Sequence, residues 1–194
     1  PRLPWAPRLP AFQKDPAPVL ALLELLKDDP ALYVRRSVAN NLNDIGKDHP
    51  EVLTRTTHQW LQGASEERQW IVRHALRTAI KRGEPGALAV LGFGAQADVA
   101  VRSAQITPSR AAIGEKVVLA FEVVNRSAAP QRVLVDFRIH YTKANGSTAA
   151  KVFKLKTLEL QAGESARLQK TVSLAQMSTR THYPGRHQVD ALLN

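Results

Sequence analysis

Arg36, Asn40 and Asp44 stand four residues apart in a stretch where Val34, Val38, Leu42 and Ile45 recur at a different phase. Both spacings are helical, so the apolar set turns to a core while the polar three share another face, with Asn43 and Lys47 beside them. Further along, Arg73, Arg77 and Lys81 form a matching row. Laid side by side, two such helices present a basic strip suited to neighbouring phosphates. The same rows equally suit an ordinary solvated helix face. Asp44 departs from the pattern in sign, because a carboxylate repels phosphate. Its chemistry would be electrostatic stabilisation of a developing positive charge. Its other reading is an ion pair with Lys47, three residues on.

Trp5 lies in PRLPWAPRLP, where recurring prolines stiffen an extended segment able to hold an indole in place. An indole face attracts cations, although tight packing is the commoner fate of a tryptophan. Trp60 and Trp70 fall inside amphipathic stretches and are read as packing residues, Trp70 over the stem of Arg73. The histidines, at 49, 58, 74, 140, 182 and 187, lack the companions a metal site needs. His182 and His187 flank a turn and suit hydrogen bonding there. With no GxGxxG, Walker loop or GxSxG elbow, nucleotide hydrolysis and serine esterase chemistry find no support. No metal and no cofactor is expected.

The elements that must position these residues divide the chain in two. Residues 1–94 are expected to be helical, with helices over 16–27, 30–45, 50–62, 65–82 and 85–91. Asp29 is read as N-cap of the second helix and Ser65 of the fourth, with Gly46, Gly63 and Gly83 as stops. YVRRSVANNLNDIG overlays WIVRHALRTAIKRG at an offset of 37 residues, pairing Tyr33 with Trp70, Arg36 with Arg73 and Gly46 with Gly83. A two-helix unit at this period is the signature of a HEAT-like α-solenoid, in which each hairpin buries its apolar face against its neighbours.

From residue 98 to 194 the period becomes two, with strands expected over 99–106, 116–125, 132–142, 151–158, 165–174 and 187–193. They imply an immunoglobulin-like antiparallel β-sandwich. Val133, Val135, Phe137, Ile139 and Tyr141 would form one inward row, Phe137 in the place of a core tryptophan, with Tyr183 as a tyrosine corner. Because the chain starts at Pro1 and stops in an apolar run at Asn194, it is expected to be a piece of a longer protein. Helices would precede it, and a last β-strand would follow.

At 194 residues with 44% hydrophobic content, the chain can bury a real core. It contains Cys 0, which excludes disulfides, thiolate metal sites and a cysteine nucleophile. With no membrane-length apolar run and no signal peptide, a cytoplasmic, monomeric protein is expected. The formal net charge of +10 suits a polyanionic partner and, on charge alone, equally a merely soluble basic surface. Residues 1–94 carry 13 basic and 10 acidic side chains against 14 and 7 afterwards, so the β-part is the more basic. Arg102, Arg110, Lys143, Lys151, Lys154 and Lys156 are its candidates for a nucleic-acid backbone.

PRLPW, DDPALYVRRSVANNLNDIGKDHPE and QWIVRHALRTAIKRG together resemble the HEAT-like-repeat alkylpurine DNA glycosylases of the AlkC subfamily. The resemblance spans essentially the whole chain, as the C-terminal portion of such a protein. It implies a base-excision repair enzyme that hydrolyses the N-glycosidic bond of cationic N-alkylated bases, above all 3-methyladenine, in double-stranded DNA. It implies that Trp5 lies against the lesion, Asp44 acts at the damaged nucleotide and Arg2 belongs to the approach segment. The duplex would lie on the surface carrying Arg36, Asn40, Asn43, Lys47, Arg73, Arg77 and Lys81. The subfamily's earlier repeats would precede Pro1, leaving open whether this stretch acts alone. From another class, the same architecture suits a non-catalytic adaptor, in which Asp44 is only a surface ion-pair residue.

Overall fold

The computed structural model describes residues 7–93, 98–178 and 180–194, and the chain folds as two compact units, 1–92 and 93–194. Trp5 and Arg2 lie outside the described residues. Among the described residues no helix is long and apolar enough to cross a membrane.

The first unit is helical: α1 Pro10–Lys14, α2 Ala17–Leu26, α3 Leu32–Ile45, α4 Pro50–Leu61, α5 Glu66–Ala75, α6 Arg77–Lys81 and α7 Pro85–Val90. The short α1 starts at Pro10, the last residue of the segment expected to be extended, and precedes the first expected helix. Proline at its first position suits a helix start, and the carbonyl of Gln13 near its end lies 2.7 Å from His49 Nε2. Helix α3 begins later than expected. Asp29 does not cap it but accepts the Ala31 amide in a turn, while Arg35 donates to the carbonyls of Asp29 and Pro30. Ser65 does cap α5, accepting from the Arg68 amide at 3.2 Å.

A single helix expected over 65–82 is broken at Leu76 into α5 and α6. The Arg77 guanidinium folds back onto the His74 carbonyl, the group a continuous helix would pair with the Thr78 amide, and a side chain on that ladder breaks it.

Helix α3 packs on α2, α4 and above all α5, so that α2 and α3 form one hairpin and α4 and α5 the next. Val38, Leu42 and Ile45 are buried, as are Ile71, Val72 and Leu76, which is the inward stripe the spacing demands. Polar clamps join the two hairpins. Trp60 Nε1 donates to Glu24 Oε2 at 2.6 Å, and Arg68 grips Asp28 with Nε at 2.7 Å and Nη2 on the other oxygen. Leu22 and Leu25 of α2, by contrast, stay exposed.

The second unit is two three-stranded antiparallel sheets. Strands β1 Val99–Thr107, β2 Lys116–Asn125 and β5 Ser165–Ser173 pair in the order β1-β2-β5. Strands β3 Gln131–Thr142, β4 Thr148–Leu160 and β6 Gln188–Leu193 pair as β4-β3-β6. The row Val133, Val135, Phe137, Ile139 and Tyr141 faces inward and meets Leu119, Phe121 and Val123 of β2, all buried. Phe137 stacks on Phe153 with ring centroids 5.1 Å apart. Asn125 is the polar hub at one end: its Nδ2 donates to the carbonyls of Ala129, Leu160 and Gln161, and its Oδ1 accepts from the amide and hydroxyl of Ser127.

Tyr183 makes no tyrosine corner, since it is exposed and its carbonyl faces His187 Nε2 at 3.2 Å. Tyr141 holds the buried position instead, with Arg180 over its ring and bonded to its hydroxyl at 3.0 Å. His182 packs edge-on against that ring; burial first, then Arg180 and His187, hold its pKa below the usual histidine value.

The turn that ends α3 has no room for a side chain. A Cβ on Gly46 would lie 2.9 Å from Leu53 Cβ and 2.3 Å from Leu53 Cδ2, and Leu53 is buried. Gly46→Ala should cost about 1–3 kcal/mol in urea unfolding through overpacking. The same change at Gly63, whose surroundings are open, should cost no more than about 1–2 kcal/mol from its positive φ alone. The Arg68 hydrogen bond, then its charge, lowers the Asp28 pKa. The benefit of that pair is therefore present above the ordinary aspartate pKa of about 3.9 and lost as pH falls through the depressed folded value. Asp28→Asn should cost at most about 1 kcal/mol at pH 7, because the pair is solvent-exposed. Unfolding midpoints measured down a pH series should show the two proteins converging in acid.

Candidate functional site

Helix α3 places Arg36, Asn40 and Asp44 on one face at successive turns. Arg36 is exposed, and Asn40 and Asp44 are half-buried. The Lys47 ammonium lies 2.6 Å from Asp44 Oδ1, so the ion pair open to this carboxylate is formed. It leaves the Asp44 side chain 15% accessible, at the rim of the helix surface.

Asn43 is not on that face. It is 3% exposed and its Oδ1 finds no hydrogen-bond partner among the described residues, so its assignment to the duplex surface is corrected. At one residue past Leu42 and four past the buried Ala39, it falls on the inward stripe rather than the polar one. In the next repeat its equivalent is Ile80, also buried.

The row Arg73, Arg77, Lys81 divides. Arg73 and Lys81 are exposed, and Arg73 makes one long contact of 3.5 Å to Gln69. Arg77 turns inward instead. Its Nη2 donates to Asn40 Oδ1 at 2.9 Å and its Nη1 to the His74 carbonyl. Burial lowers the Arg77 pKa, and the nearby Asp44 charge opposes that shift. A guanidinium still stays protonated at neutral pH. His74 joins the group with Nε2 at 3.2 Å from the same Asn40 oxygen. Trp70 lies parallel to the His74 ring at 4.9 Å, which replaces the cover over Arg73 expected from sequence.

The structure thus brings Asp44, Lys47, Asn40 and Arg77 into one polar cluster across α3 and the α5–α6 break, adds His74, and leaves Arg36, Arg73 and Lys81 as exposed cations. Sequence reasoning missed His74. The signal was present, because the 37-residue offset pairs it with Ser37 on the edge of the polar row. In the second unit Arg102, Arg110, Lys143, Lys151, Lys154 and Lys156 are all exposed.

One anion amid several cations is an arrangement for holding a polyanion while favouring a positive centre beside it. Residues 100–194 match the family described as the C-terminal Ig-like domain of the uncharacterised protein YhaZ. YhaZ of Bacillus subtilis (strain 168), itself uncharacterised, is 38% identical over the whole of this chain and 54% of its own length. A solved Pseudomonas fluorescens protein, the alkylpurine DNA glycosylase AlkC bound to DNA containing an abasic site analog, superposes with a TM-score of 0.93. It is 44% identical, over 100% of this chain and 54% of that one. Over its whole length this chain is similar to AlkC. Its helices followed by an Ig-like pair of antiparallel sheets are that protein's architecture over the shared length, and it spans about half the length of these relatives.

Proposed function

We propose that this AlkC-like chain is the C-terminal portion of an alkylpurine DNA glycosylase, in which Asp44 stabilises the sugar cation formed as a positively charged N-alkylated purine leaves duplex DNA. The observation that carries the reading is similarity to AlkC over the whole of this chain at 44% identity, with Asp44 at the rim of a cationic helix surface.

The chemistry suits a site with one carboxylate. A purine alkylated at N3 carries a positive charge before anything happens to it. Breaking the bond from C1′ sends the electron pair to the base, which departs neutral, and leaves oxocarbenium character on the sugar. Water then adds at C1′ and loses a proton, giving an abasic sugar. The departing base needs no protonation, so the protein's task is to stabilise the sugar cation and to place the water. Asp44 supplies the negative charge, directly or through that water. Trp5 is assigned to the cationic base through its π face, and Arg2 to the approaching backbone. Arg36, Arg73 and Lys81 take phosphates, with Lys47 shared between Asp44 and the duplex.

The helical hairpins fit the HEAT-like reading, with residues 1–94 as part of a solenoid and 98–194 as the second domain. The exposed Leu22 and Leu25 of α2 are the face on which a further hairpin would stack. A monomer acting on DNA in the cytoplasm is the setting that goes with this reading.

Incubating the full-length protein with methylated duplex should release free 3-methyladenine. Asp44→Asn should slow that release by about 10²- to 10³-fold, as loss of a key electrostatic group does, with duplex affinity within about threefold. A folded protein that releases no base returns the chain to the adaptor reading. An Asp44→Asn variant of full rate removes the role of Asp44. Separately, log affinity for undamaged duplex should fall linearly with log salt. Replacing Arg36 or Arg73 by Ala should flatten the slope by about 0.9 each. Slopes that do not change place the phosphates elsewhere.

A further inference from the structure

We propose that His74 is a positioning residue for Asp44, acting through the side chain of Asn40 one helical turn away. The inference rests on the glycosylase reading and concerns how its carboxylate is held.

The geometry converges on a single atom. Asn40 Oδ1 receives Arg77 Nη2 at 2.9 Å and faces His74 Nε2 at 3.2 Å. A guanidinium can only donate, so the Asn40 atom facing it is the carbonyl oxygen, and that oxygen can only accept. The His74 ring must therefore present Nε2–H toward Asn40. The ring plane is fixed by Trp70, stacked at 4.9 Å and 8° from parallel. The main chain of His74 is held too, because Arg77 Nη1 bonds its carbonyl at the helix break. One oxygen on α3 is thus gripped by two donors from the next repeat, each braced by a further contact.

The 37-residue repeat explains why this coupling is specific to the pair of hairpins. Asn40 and Arg77 occupy equivalent positions of successive repeats and bond each other directly. The equivalent of His74 is Ser37, whose hydroxyl only returns to the Tyr33 carbonyl of its own helix at 3.1 Å. A ring reaches across to the neighbouring helix where a hydroxymethyl group cannot. Asp44 follows Asn40 at i+4 on the same face, so rotation or sliding of α3 against α5 that strains this fork also displaces the carboxylate. Electrostatic stabilisation of a transition state tolerates little displacement.

The test uses the full-length protein in single-turnover release of 3-methyladenine from methylated duplex, with duplex affinity and thermal midpoint measured alongside. His74→Phe keeps the stack on Trp70 and loses the N–H; His74→Gln loses the ring and keeps an N–H at similar reach. His74→Phe should slow release about tenfold, with affinity within about twofold. His74→Gln should recover most of the rate. In an Asp44→Asn background His74→Phe should add nothing, because the two act as a unit.

Full activity in His74→Phe overturns the proposal, as does an equal loss in Phe and Gln variants that tracks duplex affinity or thermal midpoint. Independent losses in the double variant overturn it as well. Wild-type protein that releases no base overturns both the glycosylase reading and this one, whereas active wild type with unimpaired His74→Phe overturns only the role of His74.

Discussion

The contact between α3 and α5 is the constraint from which the rest of the helical unit follows. Each helix has one apolar stripe and can bury it only against its neighbour, so the hairpins stack in register. Val38 and Leu42 are lost to solvent on one side, Ile71, Val72 and Leu76 on the other. Once that register is set, the positions of the polar rows are no longer free. Asn40 must lie opposite Arg77, since the two are equivalent residues of adjoining repeats, and a hydrogen bond joins that pair. Asp44 is carried along by helical geometry to the end of the row. Gly46 then ends the helix where Leu53 leaves no room for a Cβ.

Electrostatically the surface is asymmetric in a way that packing does not require. Arg36, Arg73 and Lys81 are exposed cations, and exposed cations contribute little to stability. Asp44 and Lys47 form an ion pair at the rim, a contact that by itself is also worth little. On the proposed reading these cations would take phosphates, and a carboxylate beside them would suit a reaction in which the nucleic acid is negative but the reacting centre becomes positive. The adaptor alternative accounts for the cations and leaves the carboxylate as incidental.

Much of this was legible in the residues. The two periods divided the chain, and all six strands are expected within three residues of their observed ends, β4 being the furthest off because its hairpin arms are longer. Period-two alternation is unambiguous when one face is buried, as the row from Val133 to Tyr141 is. What escaped were features decided by side chains acting on the backbone. Arg77 breaks the helix at Leu76 by capturing a carbonyl, and Arg35 delays α3 by capturing two more, and neither event has a signature in periodicity. Asn43 was misread because a polar residue beside a polar row looks like part of it. Four residues past the buried Ala39, it lies only about 40° from it around the helix, on the inward side. His74 was passed over as a scattered histidine, although the repeat offset ties it to the polar row. The architecture is a matter of pattern; the cluster around Asp44 depends on which rotamers reach across a helix interface.

The state of Arg77 bears on why such a cluster is kept. Burial disfavours its charge, and the lowered pKa records that cost. A well-packed apolar side chain there would avoid the desolvation, and exchanging buried polar pairs for apolar ones is often neutral or stabilising. The guanidinium instead uses two of its nitrogens on Asn40 and on the His74 main chain, and Asp44 is the opposite charge that partly restores its balance. A fork of planar donors fixes direction as well as distance, which an apolar contact does not. What the arrangement supplies in return is a defined orientation of α3 against α5. If Asp44 acts as proposed, a defined orientation matters at this interface, because the residue one turn beyond Asn40 is then a carboxylate whose effect depends on where its charge sits.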